Sequence, residues 1–169
     1  PYENDKTPSP QDLISIIEAE LMDAEERIVL EPGRSISGNA GVLLTKVEYI
    51  KDNFLIADAA MNDLLRPALY KAKHDGWNLT ESKAIDQCWT IVGPVCESAD
   101  VIAKDHPINA DVGDILAIKT AGAYGFVMSS NYNSRVRPAE ILVDGQTFNI
   151  VRSRESFDDL IKNEINLND

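Results

Sequence analysis

Near the start of the chain the apolar positions recur at helical spacing. Leu13, Ile16, Ile17, Leu21 and Ala24 fall on one stripe, with acids between them. The spacing predicts a helix over 10–26 that buries this stripe and turns its carboxylates to water. Ser9-Pro10-Gln11-Asp12 marks its start. It offers a hydroxyl that accepts from a backbone N–H, a proline suited to the first helical position, and a carboxylate at the positive helix end. Arg27-Ile28-Val29-Leu30 is a short apolar run expected to be a fully buried strand. Glu31-Pro32-Gly33-Arg34 turns the chain out of it, since proline cannot continue a ladder. Helix, strand and turn in this order predict the tail of an α/β layer.

After Asn39 the pattern becomes strand-like. Apolar runs over 41–51 and 54–57, separated by Asp52-Asn53, predict a hairpin. Residues 61–74 read as a helical or loop excursion interrupted by Pro67, and 75–87 as a polar, exposed connection. Further strands are expected at 88–92, 115–119, 140–143 and 147–151, the last two joined through Asp144-Gly145. A short amphipathic helix over 157–165 closes the chain. Cys88, beside Trp89 inside a strand, reads as core. The pattern divides the chain into an α/β stub over 1–39, a mostly β domain over 40–154, and a closing helix over 155–169.

Composition narrows the function classes. At 169 residues, 44% hydrophobic and 26% charged, the chain can bury a core without disulfide or metal staples. No run approaches the roughly 18 apolar residues of a membrane span, and no secretory signal pattern is present. Two cysteines make neither a disulfide framework nor a zinc quartet, which fits a reducing, cytoplasmic setting with no metal site. The net charge of −12 argues against nucleic-acid binding. That charge sits mainly on the flanks, −6 over 11–26 and −4 over 155–169, leaving 27–154 at only −1. The chain opens at Pro1 without a methionine, which reads as part of a longer polypeptide.

Four short segments offer chemistry, each with a plainer alternative. Gly33-Arg34 ahead of a helix start presents backbone N–H groups and a guanidinium to an anion, or is a simple turn with a surface arginine. Arg66 and Tyr70 stand one helical turn apart and suit an acidic ligand group, or Arg66 pairs with a surface acid while Tyr70 packs half-buried. His74 is an acid–base group, or a helix cap exposed to solvent. Cys96-Glu97 follows a strand in a tight loop, which suits a proton donor beside a cation-binding carboxylate, or is a small buried thiol next to an exposed acid. Gly122-Ala123-Tyr124-Gly125 sets a phenol between two glycines, where backbone can approach a ligand. The two arginines of SSNYNSRVRP suit a rim or a subunit contact.

In order, EPGRSISGNAG, DAAMNDLLRPALY, GPVCESAD and GAYGFVMSSNYNSRVRPAEILVDG closely resemble the C-terminal half of the diaminopimelate decarboxylases. These are fold-type III pyridoxal-phosphate enzymes, alongside eukaryotic-type ornithine decarboxylase. The likeness runs over nearly the whole chain, to the RSRESFDDLI tail. It implies an α/β plus β architecture: the end of an alanine-racemase-like (β/α)8 barrel over 1–39, then a mostly β C-terminal barrel or sandwich domain over 40–154. The closing helix over 155–169 would return to the barrel.

The resemblance also implies roles. Pyridoxal 5′-phosphate would be the cofactor, its phosphate held by the backbone of Glu31, Pro32, Gly33 and Arg34. Tyr124 would contact both cofactor and substrate. Arg34, Arg66 and Tyr70 would bind the substrate carboxylate remote from the reaction, Glu97 would take the distal ammonium, and Cys96 would donate the proton to Cα. An ammonium and a carboxylate on one carbon match meso-2,6-diaminopimelate, with L-lysine and carbon dioxide as products. The family builds each site across a two-fold homodimer, Cys96 and Glu97 coming from the other chain. None of the nine lysines matches the family's Schiff-base lysine, so the 169 residues alone are expected to be inactive without the N-terminal barrel half. The alternatives are a carboxynorspermidine or ornithine decarboxylase, or a non-catalytic dimerisation fragment.

Overall fold

A computed structural model describes residues 8–22, 25, 27–80, 87–165 and 167. In chain order its elements are α1 (Pro10–Glu20), α2 (Arg34–Ser37), β1 (Leu43–Lys51), β2 (Phe54–Ala57), α3 (Arg66–Tyr70), β3 (Gly76–Asn78), β4 (Gln87–Val92), β5 (Val101–Ile108), β6 (Ile115–Ile118), β7 (Glu140–Asp144), β8 (Thr147–Arg152) and α4 (Phe157–Ile161).

Six strands form one sheet in the order β3-β6-β1-β2-β4-β5, with only β2 and β4 parallel. β1 serves both halves of it. Residues 43–46 pair with β6, residues 47–51 pair with β2, and the register shifts between Val47 and Tyr49. Such an irregularity bends a strand and increases its twist, and here the sheet curls until its two edges meet. Asn78 Nδ2 on the β3 side donates to Asn109 O just past β5 at 2.8 Å. Gly76 on β3 faces His106 on β5: a Cβ at Gly76 would stand 3.6 Å from Nε2. Side chains, not a backbone ladder, thus close a nearly complete barrel. Its core is set by alternation: Val47, Leu55, Ile91 and Leu116 are wholly buried, and Trp89 donates its indole N–H to Ile108 O at 3.1 Å.

Several expectations need correction. Cys88 is exposed rather than core, because Trp89 and Ile91 take the inward positions of β4 and alternation turns Cys88 out. The connection expected over 75–87 contains β3, whose three residues are strand because β6 offers them a partner; residues 81–86 lie outside the described residues. The pattern gave no sign of β5, whose Lys104-Asp105-His106-Pro107 interior breaks the apolar alternation. A proline is tolerated there because β5 is an edge.

The flanks differ more. α1 starts as expected: Ser9 Oγ accepts from Asp12 N at 3.1 Å, and Asp12 Oδ2 accepts from Ser9 N at 2.8 Å. Those bonds hold the Asp12 carboxyl below its usual range. The helix ends at Glu20, however, and buries none of its residues. Residues 27–30 form no strand, since a ladder needs a neighbouring strand and none of the described residues pairs with them. No (β/α)8 barrel is therefore built among the described residues. The Asp144-Gly145 hairpin forms as expected, with Gly145 at φ 57, and among the described residues β7 and β8 pair only with each other. α4 is capped by Ser156 and Asp159 and ends at Ile161.

Candidate active-site face

One strip of backbone, 119–125, organises the first group of candidate residues. Gly122 N donates to Gly38 O at 3.1 Å and Ala121 N to Gly41 O at 2.9 Å, laying the strip against the segment that follows α2. The approach is too close for side chains: a Cβ on Gly122 would lie 2.1 Å from Ser37 O. Tyr124 sits between the glycines with φ 60 and is half-exposed. A Cβ on Gly33, which caps α2, would stand 3.0 Å from Tyr124 Oη. Arg66 opens α3, and its guanidinium lies 5.1 Å from the Tyr124 ring centroid and 4.7 Å from that of Tyr70. The expected one-turn pairing of Arg66 and Tyr70 is present. Arg34, half-buried at the start of α2, folds its stem against Gly38. Glu31 and Pro32 are exposed and lead into this point.

His74 is neither cap nor solvated. It is 5% exposed, and Nδ1 lies 2.8 Å from Lys119 O. A carbonyl only accepts, so the proton is on Nδ1. Burial, reinforced by the charges of Arg34 and Arg66, holds its pKa below the ordinary value of 6.5, against the opposing pull of the Lys119 bond.

The second group is held elsewhere. The loop after β4 is stapled by the buried Asp100, whose carboxylate accepts from Val95 N at 2.8 Å and Met61 N at 2.7 Å. Burial raises the Asp100 pKa against those two bonds. Gly93 packs on Ala59 and Ala60 with no room for a Cβ. This fixes a loop on which Cys96 is a free, exposed thiol and Glu97 an exposed carboxylate. Tyr132 donates its hydroxyl to Glu97 Oε2 at 3.4 Å.

Arg135 and Arg137 turn inward rather than forming a rim. Arg135 bonds Asn62 Oδ1 at 2.9 Å and Asp58 O at 2.6 Å. Arg137 bonds Ser129 Oγ at 2.8 Å and Phe126 O at 2.9 Å. Sequence reasoning missed Asp100 and Tyr132. An aspartate four residues past a thiol loop and a tyrosine in a polar run carry no distinctive signal.

The family described as pyridoxal-dependent decarboxylase, C-terminal sheet domain, matches residues 11–122. The chain belongs to the pyridoxal-dependent decarboxylases. The diaminopimelate decarboxylase of Pseudomonas aeruginosa is 48% identical over 167 residues, a match spanning 96% of this chain and 40% of that protein. That of Aquifex aeolicus is 43% identical, with the same two shares. Among solved structures, AQ1208 from Aquifex aeolicus superposes with a TM-score of 0.90 at 43% identity, over 96% of this chain and 42% of that one. Helicobacter pylori diaminopimelate decarboxylase complexed with L-lysine gives 0.89 at 41% identity, over 95% and 41%. The chain thus spans about two-fifths of the relatives it matches. Its six-stranded sheet is the decarboxylases' C-terminal sheet domain.

Proposed function

We propose that this chain is the C-terminal part of a decarboxylase that converts meso-2,6-diaminopimelate to L-lysine and carbon dioxide in the cytoplasm. The observation that carries this reading is the convergence of Gly33, Arg66, Tyr70 and Tyr124 on one face, with Cys96 and Glu97 exposed on a separately anchored loop. The 43–48% identity to diaminopimelate decarboxylases supports it.

Pyridoxal phosphate suits the residues present. Gly33 leaves the space beside Tyr124 Oη open, and backbone N–H groups and a phenol are donors that suit a phosphate, leaving the Arg34 guanidinium for the substrate. Glu31, Pro32, Gly33, Arg34 and Tyr124 would hold the group. When bound, it supplies an electron sink for the pair left on Cα as the carboxylate departs. Arg34, Arg66 and Tyr70 bind the remote carboxylate, Glu97 takes the distal ammonium, and Tyr124 orients the substrate between them. Cys96 holds a proton on Sγ and delivers it to Cα on one face. The exposure of Cys96 and Glu97 fits a homodimer in which they complete the partner's site. In this reading 1–39 belongs to a (β/α)8 barrel whose other half is N-terminal, 40–154 is the β domain, and 155–169 packs back on the barrel.

Two guanidinia together with Glu97 favour diaminopimelate over ornithine or carboxynorspermidine. The test is product formation from meso-diaminopimelate and from ornithine by the full-length enzyme. Preference for ornithine overturns the substrate assignment, as does unchanged diaminopimelate turnover in Glu97→Asp. Cys96→Ala should sharply reduce correctly protonated product while cofactor absorbance is retained. Unchanged turnover removes Cys96 from the reaction and favours a non-catalytic module. The 169-residue chain with pyridoxal phosphate should show no turnover, and a separate aliquot reduced with borohydride no labelled lysine; turnover in the first and label in the second would show that the chain suffices.

A further inference from the structure

His74 lies outside every role given above, yet it joins the two pieces of backbone that carry the anion-facing side chains. α3 brings Arg66 and Tyr70 and stops at Lys71, whose φ of 54 turns the chain sharply. Three residues later the His74 ring enters the interior and reaches the carbonyl of Lys119. Lys119 N in turn donates to Asp75 O at 2.8 Å. Just beyond Lys119, the 120–124 backbone leans on the segment after α2. Thr120 Cγ2 would touch a Cβ on Gly38 at 3.5 Å, and Arg34 Cγ would meet the same Cβ at 3.0 Å. Tyr124 then ends the strip beside Gly33 and Arg66.

We infer that His74 is a positioning residue that, through Nδ1–H to Lys119 O, sets the spacing between the Arg66–Tyr70 helix and the Tyr124 strip where the remote substrate carboxylate is bound. This rests on the carboxylate-binding reading of Arg34, Arg66 and Tyr70. A histidine suits the task better than a flexible side chain. Its ring is rigid, its bond to a carbonyl fixes the tautomer, and burial beside two guanidinia keeps it uncharged, so it adds no third positive charge to that cluster. The residue is 5% exposed and its Nε2 is shut off from solvent. A shift of about 1 Å in such a joint is enough to spoil a binding geometry.

Two substitutions separate the joint from bulk packing. In His74→Asn the amide Nδ2 stands where the ring Nδ1 stands and can still donate to Lys119 O. In His74→Phe the ring volume stays and the bond is lost. His74→Gln, whose amide reaches past the carbonyl, replaces the Phe variant if that one does not fold. In the full-length holoenzyme, His74→Phe (or Gln) is expected to raise KM for meso-diaminopimelate about tenfold with kcat within about threefold, the size of one lost buried hydrogen bond. His74→Asn should stay within about threefold of the parent.

Calorimetry supplies a readout apart from turnover. L-lysine retains the remote carboxylate and 1,5-diaminopentane lacks it, so His74→Phe should weaken L-lysine and leave the diamine unchanged. Equal KM in all variants, a kcat loss matching the KM rise, equal weakening of both ligands, or an Asn variant as impaired as Phe each overturns the inference. If the parent enzyme itself fails to distinguish L-lysine from the diamine, the fault lies instead in the carboxylate reading of Arg34 and Arg66, and the inference falls with it.

Discussion

The β1–β6 sheet and the β7–β8 hairpin are built from similar residues and end in opposite states. In the sheet, Val47, Leu55, Ile91 and Leu116 are wholly buried; in the hairpin, Val143 is 67%, Phe148 74% and Ile150 65% exposed. Both are paired mainly antiparallel, and both carry β-branched and aromatic side chains. The sheet curls on itself until β3 meets β5, so one face encloses a core. The hairpin pairs with nothing else among the described residues, and a two-stranded ribbon has no inside. α1 teaches the same lesson for helices, since its stripe is correctly spaced yet Leu13 and Ile16 are more than half exposed. Local pattern selects the element; burial needs a second surface.

The contrast can be broken in several ways, taken from the largest expected effect downward. Gly122→Ala should destabilise the chain by at least about 3 kcal/mol in urea melts, because its Cβ must displace the Ser37 carbonyl. A fully stable variant would mean that the 119–125 strip is not packed as described. Leu55→Ala should cost about 3 kcal/mol through transfer and cavity, whereas Phe148→Ala should change stability by less than about 0.5 kcal/mol. Similar costs for the two would erase the distinction between core and hairpin.

Asp100→Asn turns one amide donor toward a backbone N–H, and should cost about 2 kcal/mol as a buried donor loses its acceptor. Burial raises the Asp100 pKa above 3.8, so the folded chain takes up this proton more readily than the unfolded one. The parent should therefore gain stability relative to the Asn variant as pH falls through the raised value toward 3.8, and the opposite trend would contradict the assignment.

Asp75→Asn is the smallest expected effect. Its carboxylate is about half exposed and pairs with Lys119 at 2.6 Å, so the loss should stay under about 0.5 kcal/mol. The hydrogen bond from Lys119 lowers the Asp75 pKa. The contribution is thus present above 3.8 and disappears as pH falls through the lowered value. A loss above 1 kcal/mol would place the pair deeper in the fold than its exposure indicates.

Much of the fold was legible where local chemistry decides it. The capping signals Ser9-Asp12, the Asp52-Asn53 and Asp144-Gly145 turns and the strands they join all follow from short-range rules. β3 and β5 did not, because three residues of β3 are strand only by virtue of β6, and the β5 interior is polar. Of the candidate site, Gly33, Arg66, Tyr70 and Tyr124 stood out as separate hints and the structure brings them to one face. His74 was seen, but its burial was not foreseeable from a histidine in a polar stretch.

Residue order by itself determined the turns, the helix starts, most strands, and the kinds of side chain available for an anion and a proton transfer. Each of these depends on neighbours within a few positions. Tertiary structure alone decided which apolar faces are covered, that β3 and β5 close the sheet, that Cys88 points outward, and that His74 ties the Arg66 helix to the Tyr124 strip. Those outcomes join residues far apart in the chain, such as the 45-residue separation of His74 and Lys119. Spacing along the chain cannot report them, because they depend on which surfaces meet once the sheet has curled.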